Sequence, residues 1–242
     1  MTLAVILAAG LGSRLKNKLT EGPKGFIEFD GKAIINRSIE NLKSSGISSI
    51  IIATGHLSKF YEELEDNELI FCKKNDFYAN TGSFFTLYNL NNYINNDFLL
   101  LESDLLYERR AINLLINHRE SDVILASGRT LSGDEVFIEV NSNNRLSHLS
   151  KNQRSLSNVF GELVGISKIS LNTYKMLCDW AKKNMNEAKL LHYEEALVRI
   201  RNKNNFYVER IDDLIWTEID TEEHYERAVE KIYPLLKKIE NE

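Results

Sequence analysis

The first half of the chain alternates short apolar runs with segments of helical spacing. The apolar runs are typical of strands buried on both faces, and we predict such strands at residues 3–8, 49–53, 69–72, 97–101 and 123–126. Amphipathic spacing between these runs predicts helices at residues 33–44, 57–64, 83–94 and 110–118. Because strands that alternate with helices favour a doubly wound sheet, we predict an α/β fold with a Rossmann-like mixed sheet flanked by helices.

The pattern changes after about residue 127. Short apolar-polar segments separated by the turn-rich stretches NSNN and KNQRS predict antiparallel strands at residues 136–140, 146–149 and 159–169. Helical spacing returns and predicts helices at residues 171–183, 193–201 and 222–239, with a strand at 206–209 between the last two. The second half therefore predicts a small lobe inserted late in the chain and a closing amphipathic helix.

Composition and charge exclude several classes of protein. The 242 residues are 43% hydrophobic and 27% charged, as in ordinary globular proteins. The net charge of −5 argues against general binding of nucleic acid, which needs a basic surface. Cys72 and Cys178 match no metal-binding spacing and indicate reduced thiols. Since the chain has no apolar run of about 18 residues and no basic signal-peptide start, we expect a cytoplasmic protein without a membrane partner.

A glycine loop follows the first predicted strand. Gly10 and Gly12 would let backbone N–H groups approach a phosphate that a side chain would block. The P-loop and the dinucleotide fingerprint both need a glycine where this chain has Leu15. The fingerprint also needs an acid after the second strand, where Thr54 and Gly55 stand instead. Neither of these two loops fits.

The stretch LAAGLGSRL at residues 7–15, followed by Pro23 and Lys24, resembles the nucleotidyltransferases that make nucleotide-activated sugars and alcohols. The resemblance continues in sequence order through residues 30–35, the ESD at 102–104 and the EID at 218–220, and so spans nearly the whole chain. It implies a Rossmann-like fold and one domain, 1–242. We expect a nucleotide-binding core at about 1–127, a substrate lobe at about 128–215 and a closing metal segment and helix at 216–242.

The implied reaction is the attack of a phosphate or phosphonate oxygen on the α-phosphorus of a nucleoside triphosphate, with release of pyrophosphate. Because a phosphate monoester has a second pKa of ~6, the nucleophile is already anionic and needs no side-chain base. The resemblance implies that Arg14 neutralises the leaving phosphates and that Lys24 bridges the α-phosphate and the incoming group. Solvated surface charge is the alternative for both. The implied nucleotide-binding residues of the first loop are Leu7, Ala8, Ala9, Gly10, Gly12 and Ser13.

Two aspartates are candidates for a Mg²⁺ site. Asp104 follows an apolar strand, at the end where open α/β sheets bind ligands, and Asp220 ends the stretch LIWTEID. Mg²⁺ takes oxygen ligands, usually one or two carboxylates together with phosphates. The alternative is that Asp104 caps a helix starting at Leu105, and that Asp220 likewise stands at a helix start.

Residues 80–83 stand where relatives read the base. Small hydroxyl groups and exposed backbone can bond a pyrimidine edge, which makes candidates of Asn80, Thr81, Gly82 and Ser83. A helix cap formed by Thr81 or Ser83 is the alternative. The five histidines, including His224, show no ligand spacing and are interpreted as structural or solvated.

The compact members that this chain resembles are cytidylyltransferases of small amino-alcohol phosphates and phosphonates. We expect transfer of CMP from CTP to 2-aminoethylphosphonate. The alternatives are a phosphocholine cytidylyltransferase, a sugar-1-phosphate nucleotidyltransferase and a silent nucleotide-binding module. A primary ammonium needs carboxylate acceptors, whereas a quaternary one needs an aromatic box, which Phe137, Tyr193 and Trp216 could still build. The expected acceptor-binding residues are Arg129, Asp134, Glu135, Lys151, Glu162, Tyr193 and Glu194.

Overall fold

Nine of the described strands form one mixed sheet at the centre of the protein. A computed structural model of the chain describes residues 2–12, 15, 22–66 and 68–240. The strands are β1 Leu3–Ala8, β2 Glu28–Phe29, β3 Lys32–Ala33, β4 Ser49–Thr54, β5 Ile70–Lys74, β6 Phe98–Glu102, β7 Leu105–Tyr107, β8 Val123–Ser127, β9 Phe137–Val140, β10 Leu146–Ser150, β11 Gly161–Ile169, β12 Tyr207–Ile211 and β13 Trp216–Glu218. The sheet runs in the order β10-β9-β11-β6-β1-β4-β5, and β8 joins it by pairing with β11 and β12.

The predicted α/β class is confirmed, with a division that follows the sequence pattern. β1, β4, β5 and β6 are parallel, as expected for buried apolar strands joined by helical crossovers. β9, β10 and β11 are antiparallel to their neighbours, as the turn-rich second half predicts. The helices are α1 Ile34–Ser44, α2 Ser58–Glu62, α3 Ser83–Tyr88, α4 Arg110–Asn117, α5 Leu171–Lys183, α6 Met185–Ala188, α7 Tyr193–Ile200, α8 Glu222–Arg227 and α9 Tyr233–Glu240.

Two predicted helices are wrong in extent. The helix expected at residues 83–94 ends as α3 at Tyr88 and continues in turns. The helix expected at 222–239 is divided by a π-helical turn at Ala228–Ile232, which shifts the register between α8 and α9. Apolar spacing does not reveal such a turn, because it adds one residue without removing the apolar face.

The core lies on both faces of the sheet. Alternate residues of β1 contribute to two separate clusters: Leu3, Val5 and Leu7 to one face, and Ala4, Ile6 and Ala8 to the other. An unbroken apolar run is therefore required, since both faces of this strand are covered. Phe29 of β2 packs with Tyr233 and Leu236 of the C-terminal helix α9 in a third cluster. This arrangement leaves the carboxyl ends of the parallel strands open.

A two-stranded ladder stands apart from the large sheet. β7 pairs antiparallel with β13, with Leu105 opposite Glu218 and Tyr107 opposite Trp216. The sequence pattern predicted neither strand. Because β13 is only three residues long and β7 follows β6 after a two-residue turn, neither has enough alternation to be recognised. The ladder brings the C-terminal segment against the end of β6.

Candidate active site

A cleft of about 460 Å³ opens at the carboxyl ends of β1, β5 and β6. Ligands of open α/β sheets bind at this edge, because the turns that follow parallel strands converge there. Residues of the first loop line one side of the cleft, and residues of the second half of the chain line the other. The expected residues of the first loop that line it are Leu7, Ala8, Ala9, Gly10 and Gly12. Ser13 and Arg14 lie outside the described residues.

The glycine loop has the conformation that its sequence requires. Gly12 has φ of +62°, in the left-handed region that favours glycine. The carbonyl of Gly12 accepts a hydrogen bond from the N–H of Leu15 at 3.2 Å, which closes a turn. Lys24 packs over this turn, since a β-carbon at Gly12 would lie 3.6 Å from the Lys24 side chain. Backbone and cation therefore face the same part of the cleft.

The β7–β13 ladder brings Asp104 and Asp220 together across 116 residues of sequence. Asp104 lies between β6 and β7, and its carbonyl accepts a hydrogen bond from the N–H of Ile219 at 3.0 Å. Asp220 follows at once and is 1% exposed. The alternative of a helix cap at Asp104 is excluded, because Leu105 begins a strand. At Asp220 the helix cap is Thr221, whose hydroxyl accepts from the N–H of His224.

The ammonium of Lys24 lies between these two carboxylates. Its Nζ donates to Asp104 Oδ2 at 3.1 Å and to Asp220 Oδ1. Lys24 follows Pro23 at the start of a 3₁₀ turn, Lys24–Phe26, and only 17% of its side chain is exposed. The side chain is thus an ordered, partly buried charge in the cleft, which excludes the alternative of a solvated surface lysine.

Two further carboxylates, for which the sequence predicted no role, stand beside Asp104. Glu102 ends β6 and Glu218 ends β13, and one oxygen of each lies within 4.8 Å of the others and of Asp104. Gly165, with φ of +83°, permits this packing, because a β-carbon there would lie 3.1 Å from the Glu102 carboxyl carbon. The motifs ESD and EID could have revealed both glutamates, since each motif has a glutamate two residues before the aspartate.

Burial and mutual repulsion shift the ionisation of this acidic group. Burial first, and then the charge of Asp104, raise the pKa of Glu218 to about 7. Burial and the charge of Glu218 raise the pKa of Glu102 well above its usual range. The hydroxyl of Tyr193 donates to Glu102 Oε1 at 2.8 Å and fixes that carboxyl group. Carboxylates held this close favour a cation between them, because its charge would offset their repulsion.

The turn after β5 forms the wall where the base was expected to bind. Asn75 is 2% exposed, and its amide donates to Thr81 Oγ1 and Thr86 Oγ1, both at 3.0 Å. Its carbonyl oxygen accepts from the N–H of Phe77 at 3.0 Å. Thr81, Gly82 and Ser83 line the cleft. The cap of α3 is Gly82 without a side-chain bond, so neither Thr81 nor Ser83 caps the helix.

The second half of the chain lines the opposite side of the cleft. The expected acceptor-binding residues found there are Asp134, Glu135, Lys151, Glu162, Tyr193 and Glu194. Five of them already have a hydrogen-bond partner. Lys151 Nζ donates to Asp134 Oδ1 at 2.7 Å, and Glu162 Oε2 accepts from the N–H of Thr130 at 2.8 Å. Glu135 Oε1 accepts from the N–H of Gly133 at 3.0 Å, and the Tyr193 hydroxyl donates to Glu102. Glu194 stands on the first turn of α7, where burial raises its pKa.

Two expected positions need correction. Arg129 is exposed and is not among the residues that line the cleft, because its loop turns Thr130 and Ser132 inward instead. Asn80 is likewise exposed, at the end of a 3₁₀ turn that presents Tyr78 and Ala79 to the cleft. Side-chain direction within a turn depends on its dihedral angles, which the sequence alone does not give.

Helix α8 adds two residues to the cleft for which the sequence predicted no role in binding. His224 and Arg227 of α8 both line the cleft. His224 is 5% exposed, which confirms the structural interpretation of this histidine. Among the described residues that line the cleft, eight carboxylate side chains face only three cationic ones, Lys24, Lys151 and Arg227. The described cleft is acidic, and the arrangement suits a ligand with a cationic part.

A family model identifies the chain. The model of the MobA-like NTP transferase domain matches residues 4–165, which is more than half of the 242 residues. The chain belongs to this family. The match contains the glycine loop, Lys24 and Asp104, and the resemblance read from the motifs is confirmed. The protein is therefore a nucleotidyltransferase with the fold that the resemblance implies.

Individual relatives agree with this assignment. The chain is 26% identical over 241 residues to choline-phosphate cytidylyltransferase of Haemophilus influenzae, covering 96% of this chain and 97% of the relative. It is 33% identical over 105 residues to the choline-phosphate cytidylyltransferase of Streptococcus pneumoniae, where the match covers 43% of this chain and less than half, 46%, of the relative. The solved structure of the CTP:phosphocholine cytidylyltransferase from that organism superimposes with a TM-score of 0.79 at 23% identity, covering 99% and 100% of the two chains.

A relative with a different acceptor in its name covers less of the chain. CMP-5'-(3-aminopropyl)phosphonate synthase of Streptomyces rubellomurinus is 29% identical over 139 residues, which is 55% of this chain and 22% of that protein.

Among the residues that the structure describes, none of the helices has the length and apolar character that crossing a membrane would need.

Proposed function

We propose that this nucleotidyltransferase transfers CMP from CTP to 2-aminoethylphosphonate and releases pyrophosphate. The observation that carries the proposal is the position of Lys24, whose ammonium is held by Asp104 and Asp220 beside the glycine loop. Transfer of a nucleotidyl group needs positive charge at the α-phosphate and an oriented pair of anions. The cleft places an ordered cation next to backbone N–H groups at the edge where nucleotides bind.

The chain's own residues divide the task. The backbone of Gly10 and Gly12 would receive the triphosphate, and Lys24 would leave its carboxylate partners to contact the α-phosphate and the incoming oxygen. Arg14 is proposed to neutralise the departing phosphates. The phosphonate oxygen attacks the α-phosphorus, the bond to the β-phosphate oxygen breaks, and pyrophosphate carries away the electron pair. No proton has to be removed from the nucleophile, because a dianionic phosphonate is already reactive.

The acidic group fits a divalent cation. Asp104 and Asp220 already share one cation, the Lys24 ammonium, and Glu102 and Glu218 add oxygens within 4.8 Å of Asp104. Hard oxygen donors of this kind suit Mg²⁺ rather than a softer metal. We propose Asp104 and Asp220 as its ligands, with Glu102 and Glu218 beside them. When bound, Mg²⁺ would supply positive charge against the triphosphate.

The choice of acceptor depends on the other side of the cleft. A primary ammonium donates three hydrogen bonds and needs acceptors, which carboxylates provide. Glu194 lies half-buried on the cleft wall, and Asp134 and Glu135 lie on the loop opposite. The phosphonate oxygens would be bound by Lys151 and Arg227, since both line the cleft and Arg129 does not. The proposal is supported by the name of the Streptomyces relative, which acts in making a CMP-aminoalkylphosphonate.

Phosphocholine is the second candidate, and a specific observation favours it. Trp216 and Tyr193 both line the cleft, and aromatic faces bind quaternary ammonium groups. The relatives that are named choline-phosphate cytidylyltransferase favour it as well. Phe137 does not line the cleft, so a box would have to be built by Trp216 and Tyr193 with the nearby carboxylates. Tyr193 also holds Glu102, which limits its freedom to turn a face toward a ligand.

Pyrophosphate release tests the proposal. The purified protein would be assayed with MgCl₂, each of CTP, UTP, ATP and GTP, and each of 2-aminoethylphosphonate, phosphocholine and glucose 1-phosphate. We expect release only with CTP, and the highest kcat/KM with 2-aminoethylphosphonate. A higher kcat/KM for phosphocholine would select the second candidate. Turnover with the sugar phosphate would show a sugar nucleotidyltransferase, and binding of CTP without turnover of any acceptor would show a silent nucleotide-binding module.

A further inference from the structure

The side chain of His224 joins two segments of the cleft that are far apart in sequence. Its Nδ1 accepts a hydrogen bond from the backbone N–H of Asp220 at 3.3 Å, and its Nε2 lies 3.1 Å from the backbone carbonyl of Ser132. The ring is almost fully buried, with 5% exposed. His224 therefore connects the segment that carries a candidate metal ligand with the loop at residues 128–136, here named the acceptor loop.

The two backbone partners determine which ring nitrogen carries the proton. A backbone N–H can only donate, so Nδ1 must offer its lone pair to Asp220. A carbonyl can only accept, so Nε2 must carry the hydrogen that Ser132 receives. The ring is thus the neutral Nε2–H tautomer with both nitrogens satisfied. No ring nitrogen remains for a substrate or a metal, which excludes His224 as a ligand or a general base in this arrangement.

The acceptor loop supplies one wall of the acceptor side. It connects β8 and β9, and Thr130, Ser132, Asp134 and Glu135 line the cleft. Glu162 Oε2 accepts from the N–H of Thr130 at 2.8 Å, and Glu135 Oε1 accepts from the N–H of Gly133 at 3.0 Å. These bonds hold the loop to the sheet and to itself. The bond from His224 holds it to the C-terminal segment, and so to Asp220.

We propose that His224 is a positioning residue that sets the acceptor loop at the correct distance from the reacting centre. A phosphonate bound at the loop must place an oxygen next to the α-phosphorus, and misplacement by about 1 Å can cost about 10² in rate. The bridge through His224 fixes the loop and Asp220 relative to each other with one rigid ring. The kinetic part of this inference rests on the proposed function, whereas the structural part does not.

Two substitutions separate the two bonds. In His224→Asn the shorter amide reaches only as far as Nδ1, so its oxygen can still accept from Asp220 while the bond to Ser132 is lost. In His224→Gln the amide nitrogen reaches as far as Nε2 and can still donate to Ser132, while the acceptor for Asp220 is lost. Glu226→Gln, on the exposed side of the same helix, is the matched control.

Hydrogen exchange of the 242-residue chain and steady-state kinetics give the two readouts. We expect amides of residues 129–135 to exchange at least about fivefold faster in His224→Asn, because one anchoring hydrogen bond is lost. The KM for 2-aminoethylphosphonate should rise about tenfold in this variant, with little change in the KM for CTP. His224→Gln should keep the acceptor loop protected and the acceptor KM within about twofold, and Glu226→Gln should match the wild type in both.

The inference is overturned if the acceptor-loop amides of His224→Asn exchange at the wild-type rate. It is also overturned if His224→Asn and His224→Gln have equal effects, as a role in packing alone would give. The exchange measurement needs no substrate. If the protein transfers no CMP to any acceptor but His224→Asn still loosens the loop, the proposed function fails and the bridge stands. If transfer occurs and the loop is unaffected, the reverse holds.

Discussion

The two sides of the cleft are built by different means. The nucleotide side consists of the glycine loop after β1 and the turn after β5, and its polar surface is mostly backbone and small side chains held by the amide of Asn75. The acceptor side takes its surface from several separated segments and consists largely of carboxylates, and burial raises the pKa of three of them, Glu102, Glu194 and Glu218. The first side offers mainly hydrogen-bond donors and small groups, whereas the second concentrates acids that a bound cation would stabilise.

This difference has a chemical consequence. In the proposed reaction, CTP would bring negative charge to backbone N–H groups and Lys24, and its binding would relieve little repulsion on the nucleotide side. An acceptor with an ammonium group and a divalent cation would instead bring positive charge to a group of acids that repel one another. Substitutions at the junction between the two sides should therefore cost most, and substitutions within the acceptor side should alter specificity and pH dependence.

The largest effect is expected at the junction itself. Asp104→Asn and Asp220→Asn should each reduce kcat by about 10³-fold, because a carboxylate that orders the cation of the reacting centre is lost. Thermal melting should show that both variants remain folded. Asp179→Asn, an exposed aspartate on α5, is the control and should leave kcat unchanged. Full activity of Asp104→Asn, or activity of the wild type undiminished in EDTA, would contradict the metal assignment.

Lys24 should act in the transition state more than in binding. Lys24→Ala should lower kcat by about 10²–10³-fold, because a positioned charge is removed from the reacting centre. The KM for CTP should rise by less than about tenfold, since the glycine loop still binds the triphosphate. Steady-state kinetics of Lys24→Ala would check this. The control is Lys32→Ala, because Lys32 pairs with Glu40 at the surface. A normal kcat with weakened CTP binding would show that Lys24 contributes to nucleotide affinity alone.

On the acceptor side, Glu194 should discriminate between ammonium groups. Glu194→Gln should lower kcat/KM for 2-aminoethylphosphonate about tenfold, the effect expected when a hydrogen bond to a charged group is weakened. The same variant should change kcat/KM for phosphocholine by less than about threefold, because a quaternary ammonium donates no hydrogen bond. Glu195→Gln is the matched neighbour, since Glu195 caps α7 and does not line the cleft. Equal losses of kcat/KM for both acceptors would show that Glu194 does not determine acceptor specificity.

The smallest effect concerns stability and tests the raised pKa of Glu218. The folded protein holds a proton on Glu218 up to about pH 7, whereas the unfolded chain releases it near pH 4.5. Between these values the folded state binds more protons, so the free energy of unfolding falls as pH rises from about 4.5 to 7. Glu218→Gln should reduce this fall, by on the order of 2 kcal/mol or about 5 °C in Tm.

Thermal melting in EDTA between pH 5 and pH 8 measures this difference. Glu226→Gln, at an exposed position, should keep the wild-type dependence on pH. A Glu218→Gln profile that is parallel to the wild type across the whole range would show that Glu218 titrates normally and that the acidic group is not strained.

The same comparison explains what could be predicted from the sequence. The nucleotide side follows directly from local rules, because a buried apolar run, a glycine loop and the carboxyl end of a parallel strand are all continuous in sequence. β1, β4 and β6 were predicted to within one residue for this reason. Lys24 could be recognised as well, since it stands at a fixed distance from the loop within a motif.

The acceptor side depends on tertiary contacts that no local pattern contains. Asp104 and Asp220 meet through the β7–β13 ladder, whose strands are three residues long. The ladder also places Glu102 and Glu218 in one acidic group. Neither glutamate was predicted as part of the site, because only this tertiary contact brings the two together. Arg129 was expected in the cleft because of its charge, but the turn geometry of its loop exposes it. Residue type suggested the right lobe, and only the fold decided which side chains face inward.

Whether CTP and a small aminophosphonate react in this cleft can be decided by a competition in one tube. Equal concentrations of 2-aminoethylphosphonate and phosphocholine would be incubated with CTP, Mg²⁺ and the enzyme and followed by ³¹P NMR. We expect the phosphonate signal to be converted first to a mixed phosphonate–phosphate anhydride, with an equal amount of pyrophosphate, and we expect Asp104→Asn to form neither. Preferential conversion of phosphocholine would contradict the acceptor assignment, and pyrophosphate without either anhydride would contradict transfer of CMP.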